Sequence, residues 1–194
     1  MQISRLRGGF TLLELIAVVS IVAILTAIAL PSYNHFICES QRSAAQSQML
    51  KLAGDLERWR GKNLSYLGFI PENGYETTAN TSILVPKGST SSNYAYRITL
   101  VDISCRTKTL NPSAVVAGCP GQGWVMIARP NSGDSTDTAA SKGTLAAASR
   151  MVLDSQGVRC MTPGTLADHI TDASIATATT SDAALCGTNS MGWK

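Results

Sequence analysis

A single carboxylate, Glu14, sits inside an apolar run that reaches from Phe10 to Leu30. Those 21 residues contain no lysine, arginine or histidine that could neutralise it. An ionisable group at membrane depth costs about 2.5–3.5 kcal/mol on insertion scales, so it marks a function and needs a partner. Cutting the chain between Gly9 and Phe10 would create one, a new α-amino group four residues before Glu14. The pair could close within one chain, or between Glu14 of one copy and the terminus of a neighbour.

The other reactive residue types are scattered. Cys38, Cys105, Cys119, Cys160 and Cys186 form no CxxC pair and no metal-ligand spacing, and His35 and His169 stand alone. No metal site and no cofactor is expected. The chain lacks a GxSxG elbow, an HExxH helix and a phosphate-binding glycine loop, so no catalytic residue is assigned and the reading is not an enzyme. Behind a membrane-targeting N-terminus, cysteines suit disulfides in an oxidising compartment. An odd count leaves one thiol over. Cys38, just past the apolar run, reads as a small buried apolar side chain in a helix. Four remaining cysteines allow three connectivities, and proximity favours Cys105 with Cys119 and Cys160 with Cys186.

Residues 56 to 62 interleave Arg58, Arg60 and Lys62 with Trp59. That mixture could contact nucleic acid. It also fits a helix end, where cations complement the macrodipole and Trp59 continues an apolar stripe. The net charge of +3, which falls to +1 without Arg5 and Arg7, argues against a nucleic-acid partner.

The elements that position these residues begin with the apolar run. Twenty-one helical residues rise about 30 Å, the thickness of a bilayer's hydrocarbon core. Arg5 and Arg7 on its short side favour a cytoplasmic N-terminus with the remainder exported. A plain signal anchor and a secretory signal cleaved after Ala29 compete with the reading in which Glu14 is functional. The second is disfavoured by the length of the run and by the carboxylate within it. Pro31 removes an amide donor and predicts a kink. Beyond it Ala45, Met49, Leu52, Leu56 and Trp59 recur at helical spacing, and Gly61 is a plausible stop. Residues 61 to 93 read as a long loop with room for one short helix or strand. Strand signals follow at residues 94–100, 124–128, 150–153 and 158–160, the last two flanking a turn at Asp154 to Gly157. The first of these alternates as a strand with one buried face does. Ser/Thr/Ala-rich stretches at 131–149 and 171–184 read as surface loops. The fold class is therefore α+β, a long kinked helix packed on a four-stranded antiparallel sheet.

The N-terminus also carries a resemblance. Arg5-Leu6-Arg7-Gly8-Gly9 followed by Phe10-Thr11-Leu12-Leu13-Glu14-Leu15 resembles the class III signal of type IV prepilins and pseudopilins, and Pro31 before Ser32 and Tyr33 resembles their helix kink. The resemblance implies a leader at 1–9, a transmembrane and filament-core helix at 10–30, its amphipathic continuation at 31–61, and a periplasmic head at 62–194. It implies a prepilin peptidase that cuts before Phe10 and N-methylates it, and a Glu14 that recruits the subunit by compensating a neighbour's terminus. The implied partners are other pilin subunits, an inner-membrane assembly platform and, before assembly, membrane lipid. The implied location is the bacterial inner membrane in a single pass, then the filament at the cell surface. A bridge from Cys160 to Cys186 would resemble the C-terminal disulfide loop of many pilins. The chain resembles a minor pilin more than a pseudopilin, since two bridges and a long tail favour a pilus exposed outside the cell. A type II secretion pseudopilin and a membrane-anchored binding domain that never polymerises stay open as alternatives.

Overall fold

The computed structural model describes residues 11–72, 74–75, 82–90, 93–103, 110, 119–131, 149–162, 186 and 192–193. Helix α1, Leu12–Asn63, runs for 52 residues and passes through Pro31 without a break. The chain separates into two compact units, Met1–Ile37 and Cys38–Lys194.

In the first unit every large apolar side chain from Leu12 to Leu30 is more than half exposed. Ser20 donates its hydroxyl to the Ile16 carbonyl at 2.8 Å, and Thr26 donates to Val22 at 2.7 Å. Each hydroxyl is thus satisfied by its own helix, which lets the segment enter an apolar medium without orphaned donors.

In the second unit the helix becomes one-sided. Ala45, Met49, Leu52 and Leu56 are essentially fully buried, as their spacing predicts, and join the main core with Tyr66, Phe69 and one face of the sheet. The helix outlasts Gly61 by two residues and ends where Leu64 takes φ 57°, the left-handed conformation more usual for glycine. The Leu64 N–H still reaches the Arg60 carbonyl at 2.8 Å, and the Asn63 side-chain amide caps the Trp59 carbonyl at 3.1 Å.

The sheet is an antiparallel meander of five strands in sequence order: β1 Ser82–Val85, β2 Tyr96–Asp102, β3 Trp124–Pro130, β4 Arg150–Asp154 and β5 Arg159–Thr162. Strands β2 to β5 fall on the segments whose patterns read as strands. The addition is β1, inside the stretch read mainly as loop. Its four residues are too few to display a period, and they pair with β2 from Ser82↔Thr99 to Val85↔Tyr96. The turn between β4 and β5 forms as its sequence implies. One Asp154 carboxylate oxygen accepts the Gln156 and Val158 N–H groups at 2.8 and 2.9 Å, and Gly157 sits at φ 89°.

A second difference concerns the sheet's faces. The alternation expected for β2 holds from Tyr96 to Leu100, with Arg97 and Thr99 half-buried, but Val101 on the outer face is buried as well. Tyr96, Ile98, Leu100, Met126, Met151 and Leu153 meet the helix-side core. On the opposite face Val101, Val125, Ile127 and Val152 cluster with Cys160 and Cys186. The Cys160–Cys186 disulfide is part of that buried cluster.

Candidate functional site

The N-terminal segment is the first candidate site. Thr11 caps α1: its hydroxyl accepts the Glu14 N–H at 3.3 Å and its carbonyl accepts the Leu15 N–H at 3.2 Å. Thr11 and Glu14 have the spacing of a capping box, a signal present in the sequence but not used in reading it. Glu14 therefore occupies the first turn, where the helix dipole favours an anion. Among the described residues no hydrogen bond or ion pair reaches its carboxylate, in contrast to Ser20 and Thr26 on the same helix. Gly9, Phe10, Arg5 and Arg7 lie outside the described residues, as does Cys105.

At the other end of the helix, the basic-aromatic stretch is woven into the fold. Arg58 pairs with Asp55 at 3.0 Å. Arg60 donates to the Tyr66 hydroxyl at 3.1 Å and lies 5.3 Å from that ring's centre. The Tyr66 hydroxyl in turn donates to Glu57 at 2.7 Å, and Glu57 also accepts the Trp124 indole N–H at 3.4 Å. Burial, and then the Glu57 hydrogen bond, push the Tyr66 phenol above its ordinary pKa. Trp59 donates to the Leu67 carbonyl at 3.2 Å and meets Phe69 edge-on, with centroids 6.1 Å apart. Lys51 and Glu72 form an exposed pair in which the mutual hydrogen bond raises the lysine and lowers the carboxylate. Between these groups runs an open groove of about 280 Å³, lined by Trp59, Phe69, Ile70 and the rim charges Asp55, Arg58, Lys62 and Glu72. Two of the three cations read from sequence are thus tied into the junction between the helix and the following loop.

That loop interlocks with the β2–β3 connection. Gly121 accepts the Tyr66 N–H at 2.9 Å and gives its own N–H to the buried Asp102 carboxylate at 2.8 Å. A Cβ at Gly121 would fall 2.4 Å from Leu67 Cγ, and its φ of 60° also requires glycine.

Cys160 and Cys186 are bonded across 26 residues, with Cα atoms 5.8 Å apart. Cys119 is disulfide-bonded too. Cys38 is in no disulfide and is half-buried against the main core rather than fully enclosed. No group of His, Cys, Asp and Glu able to hold a metal occurs among the described residues.

Comparison with known proteins adds a family to this geometry. Residues 31–142 match the family described as "Type IV minor pilin ComP, DNA uptake sequence receptor". Residues 4–30 match the "Prokaryotic N-terminal methylation motif". The chain is similar to the fimbrial protein EcpC of Eikenella corrodens, 46% identical over 44 residues, 23% of this chain and 29% of that protein. It is 51% identical over 43 residues to a type IV major fimbrial protein FimA of Dichelobacter nodosus, covering 22% and 28%. With a type IV major alpha-pilin of Moraxella bovis it shares 43% over 56 residues, covering 28% and 35%. The matches thus span about a third or less of the length of these relatives. No solved structure matches.

Proposed function

The chain belongs to the family described as type IV minor pilin ComP, DNA uptake sequence receptor, and from that membership we propose that it is a structural subunit of a type IV pilus whose head contacts DNA. The observation that carries the filament reading is the first half of α1, apolar on every side and exposed throughout, with Glu14 in its first turn. Such a surface needs lipid or an apolar bundle of like helices around it.

In this reading a prepilin peptidase cuts between Gly9 and Phe10 and methylates the new amino group. The subunit waits in the inner membrane with its N-terminus cytoplasmic and its head exported. Glu14 then compensates the terminus of a neighbour as α1 enters the filament, and a bend at Pro31 adjusts the head's approach. Cys105 is the partner of Cys119, which closes the β2–β3 connection. The match over residues 31–142 favours a pilus over type II secretion.

The DNA part of the reading comes from the family. It runs against the expectation drawn from a net charge of +3. Net charge is a sum over the whole chain and is blind to how cations cluster, so a local patch can bind a polyanion on a nearly neutral protein.

The filament reading is tested at the N-terminus. Intact mass of membrane and filament fractions should show a chain beginning at methylated Phe10, and Gly9→Val should leave the precursor uncut. A mature chain beginning after Ala29, or retaining its first nine residues, would refute it.

A further inference from the structure

The groove where α1 meets the following loop has an apolar floor. Trp59 is half-buried in it, with its indole N–H taken by the Leu67 carbonyl and its ring met edge-on by Phe69. Those contacts fix the ring beforehand, so a group packing against it pays little to order it. Ile70, which lines the same groove, is more than half exposed. Pockets for drug-sized ligands run from about 300 to 1,000 Å³. At about 280 Å³ and open, this one suits a single small flat group.

The rim is locally basic. Lys51, Asp55, Arg58 and Lys62 follow one another at spacings of 4, 3 and 4, which places them on one face of α1. Glu72, on the loop, is bonded to Lys51, and its carboxyl is held down by that hydrogen bond, by the Lys51 charge and then by Lys87. Four cations thus stand around two carboxylates. The Arg58–Asp55 and Lys51–Glu72 pairs are exposed, and exposed pairs contribute little and weaken in salt, so both cations can turn to a phosphate. Lys62 and Lys87 are exposed, and no hydrogen bond or ion pair engages either among the described residues. Lys51 and Lys62 lie about 16 Å apart along the helix, so they flank the groove.

An aromatic floor within a cationic rim is the arrangement that binds single-stranded nucleic acid, with a base on the ring and the backbone on the cations. A base inside a duplex is stacked on both faces and has no apolar face to offer; an unpaired base has one. We propose that this groove holds one unpaired nucleotide of a DNA strand, its base against Trp59 and Ile70 and its flanking phosphates on Lys62 and Arg58 at one end and Lys51 and Lys87 at the other. The assignment rests on the DNA reading above and deepens it, from DNA in general to an unpaired stretch at a named site. Stacking is tolerant of sequence, so any preference for particular bases belongs to other residues of the head.

The test uses the full chain, purified in detergent, and three fluorescein-labelled probes: a short oligothymidylate, an abasic strand of the same length, and the duplex of the oligothymidylate with its complement. The abasic strand keeps the phosphates and lacks the bases, so it should bind at least about fivefold more weakly than the oligothymidylate. Ile70→Asp, a change at an exposed position, should bring the oligothymidylate down to the abasic level. The double variant Lys62→Gln, Lys87→Gln should keep the preference for bases but lose salt dependence. Each phosphate contact on a single strand contributes about 0.7 to the slope of log affinity against log salt, so two remove about 1.4. Between about 50 and 200 mM salt the wild type should therefore lose about sevenfold more affinity than that variant. Formation of the Cys160–Cys186 bond is the folding control for both variants. An abasic strand that binds as tightly as the oligothymidylate, or strand binding that Ile70→Asp leaves unchanged, overturns the groove. A wild type that binds only the duplex overturns the groove and leaves the DNA reading standing. A wild type that binds no probe at the lowest salt overturns both.

Discussion

Replacing Glu14 with alanine separates what the carboxylate does for assembly from what it does for the lone subunit. In the lone helix the change is favourable, because it removes the one group that costs about 2.5–3.5 kcal/mol at membrane depth. The head's own fold should be unaffected, since Glu14 belongs to the first unit, and the Thr11 cap survives because it uses the backbone N–H of position 14. Insertion and folding should therefore be normal. The loss falls on the filament, where a neighbour's terminus would be left uncompensated among apolar helices. Breaking a buried pair by removing one partner costs about 3–5 kcal/mol. Side chains on a helix lean toward its N-terminus, so Glu14 can also reach its own terminus before assembly. That exchange places the assembly-specific loss nearer about 3 kcal/mol, or about a hundredfold in incorporation. The assay is the ratio of membrane-held to sheared-filament protein in a strain with all other pilins intact. Formation of the Cys160–Cys186 bond serves as the folding control. Glu14→Gln should be impaired as well, since an amide cannot balance a cation. Incorporation of Glu14→Ala at the wild-type level would remove the carboxylate from any recruiting role.

Other consequences follow from the head. Cys186→Ser opens a loop of 26 residues, and the chain-entropy cost of such a loop predicts a loss of about 3.5 kcal/mol in denaturant unfolding; a loss below about 1 kcal/mol would mean that the bridge adds little. Gly121→Ala places a Cβ 2.4 Å from Leu67 Cγ at a φ that disfavours side chains, for a combined cost of about 2–4 kcal/mol measured the same way. An alanine that leaves the midpoint unmoved would show that the two loops do not interlock. The third concerns alkaline pH. Burial raises the pKa of Tyr66, Tyr75 and Tyr96 in the folded head. Their contribution is therefore whole below the unfolded value of about 10 and declines as pH rises beyond it, when the unfolded chain ionises first. Tyrosinate absorbance should show Tyr75 and Tyr96 titrating only as the head unfolds; smooth titration of all tyrosines near pH 10 would contradict their burial.

Much of the fold was legible because its signals are local. The stripe from Ala45 to Leu56 is a repeat within one helix, and β2 and the β4–β5 turn announce themselves within a few residues. β1 was not, because four residues, Ser82 to Val85, cannot show a period and gain strand identity only by pairing with Thr99 to Tyr96. The buried cluster on the second sheet face was hidden for a similar reason: it gathers Val101, Val125, Ile127 and Val152 with Cys160 and Cys186, residues that only the strand register and the disulfide bring together. Of the candidate site, Glu14 stood out because one carboxylate breaks an otherwise apolar segment. Its cap by Thr11 was equally readable from the spacing and was missed.

The two halves of α1 also explain why one helix carries two sequence patterns. From Leu12 to Leu30 the apolar residues surround the axis, whereas from Ala45 to Leu56 they keep to one side. A helix presents a stripe when its surroundings differ from side to side, as they do between a sheet and water. It loses the stripe when its surroundings are the same all round, as in lipid or in a bundle of like helices. Lipid and such a bundle are equally apolar, so moving between them gives the hydrophobic side chains little to gain. The preference for the filament must then come from packing and from the few polar groups. Ser20 and Thr26 are already satisfied by their own helix. Glu14 is the group left over, and it is the one group on this segment whose free energy can change substantially between the two environments.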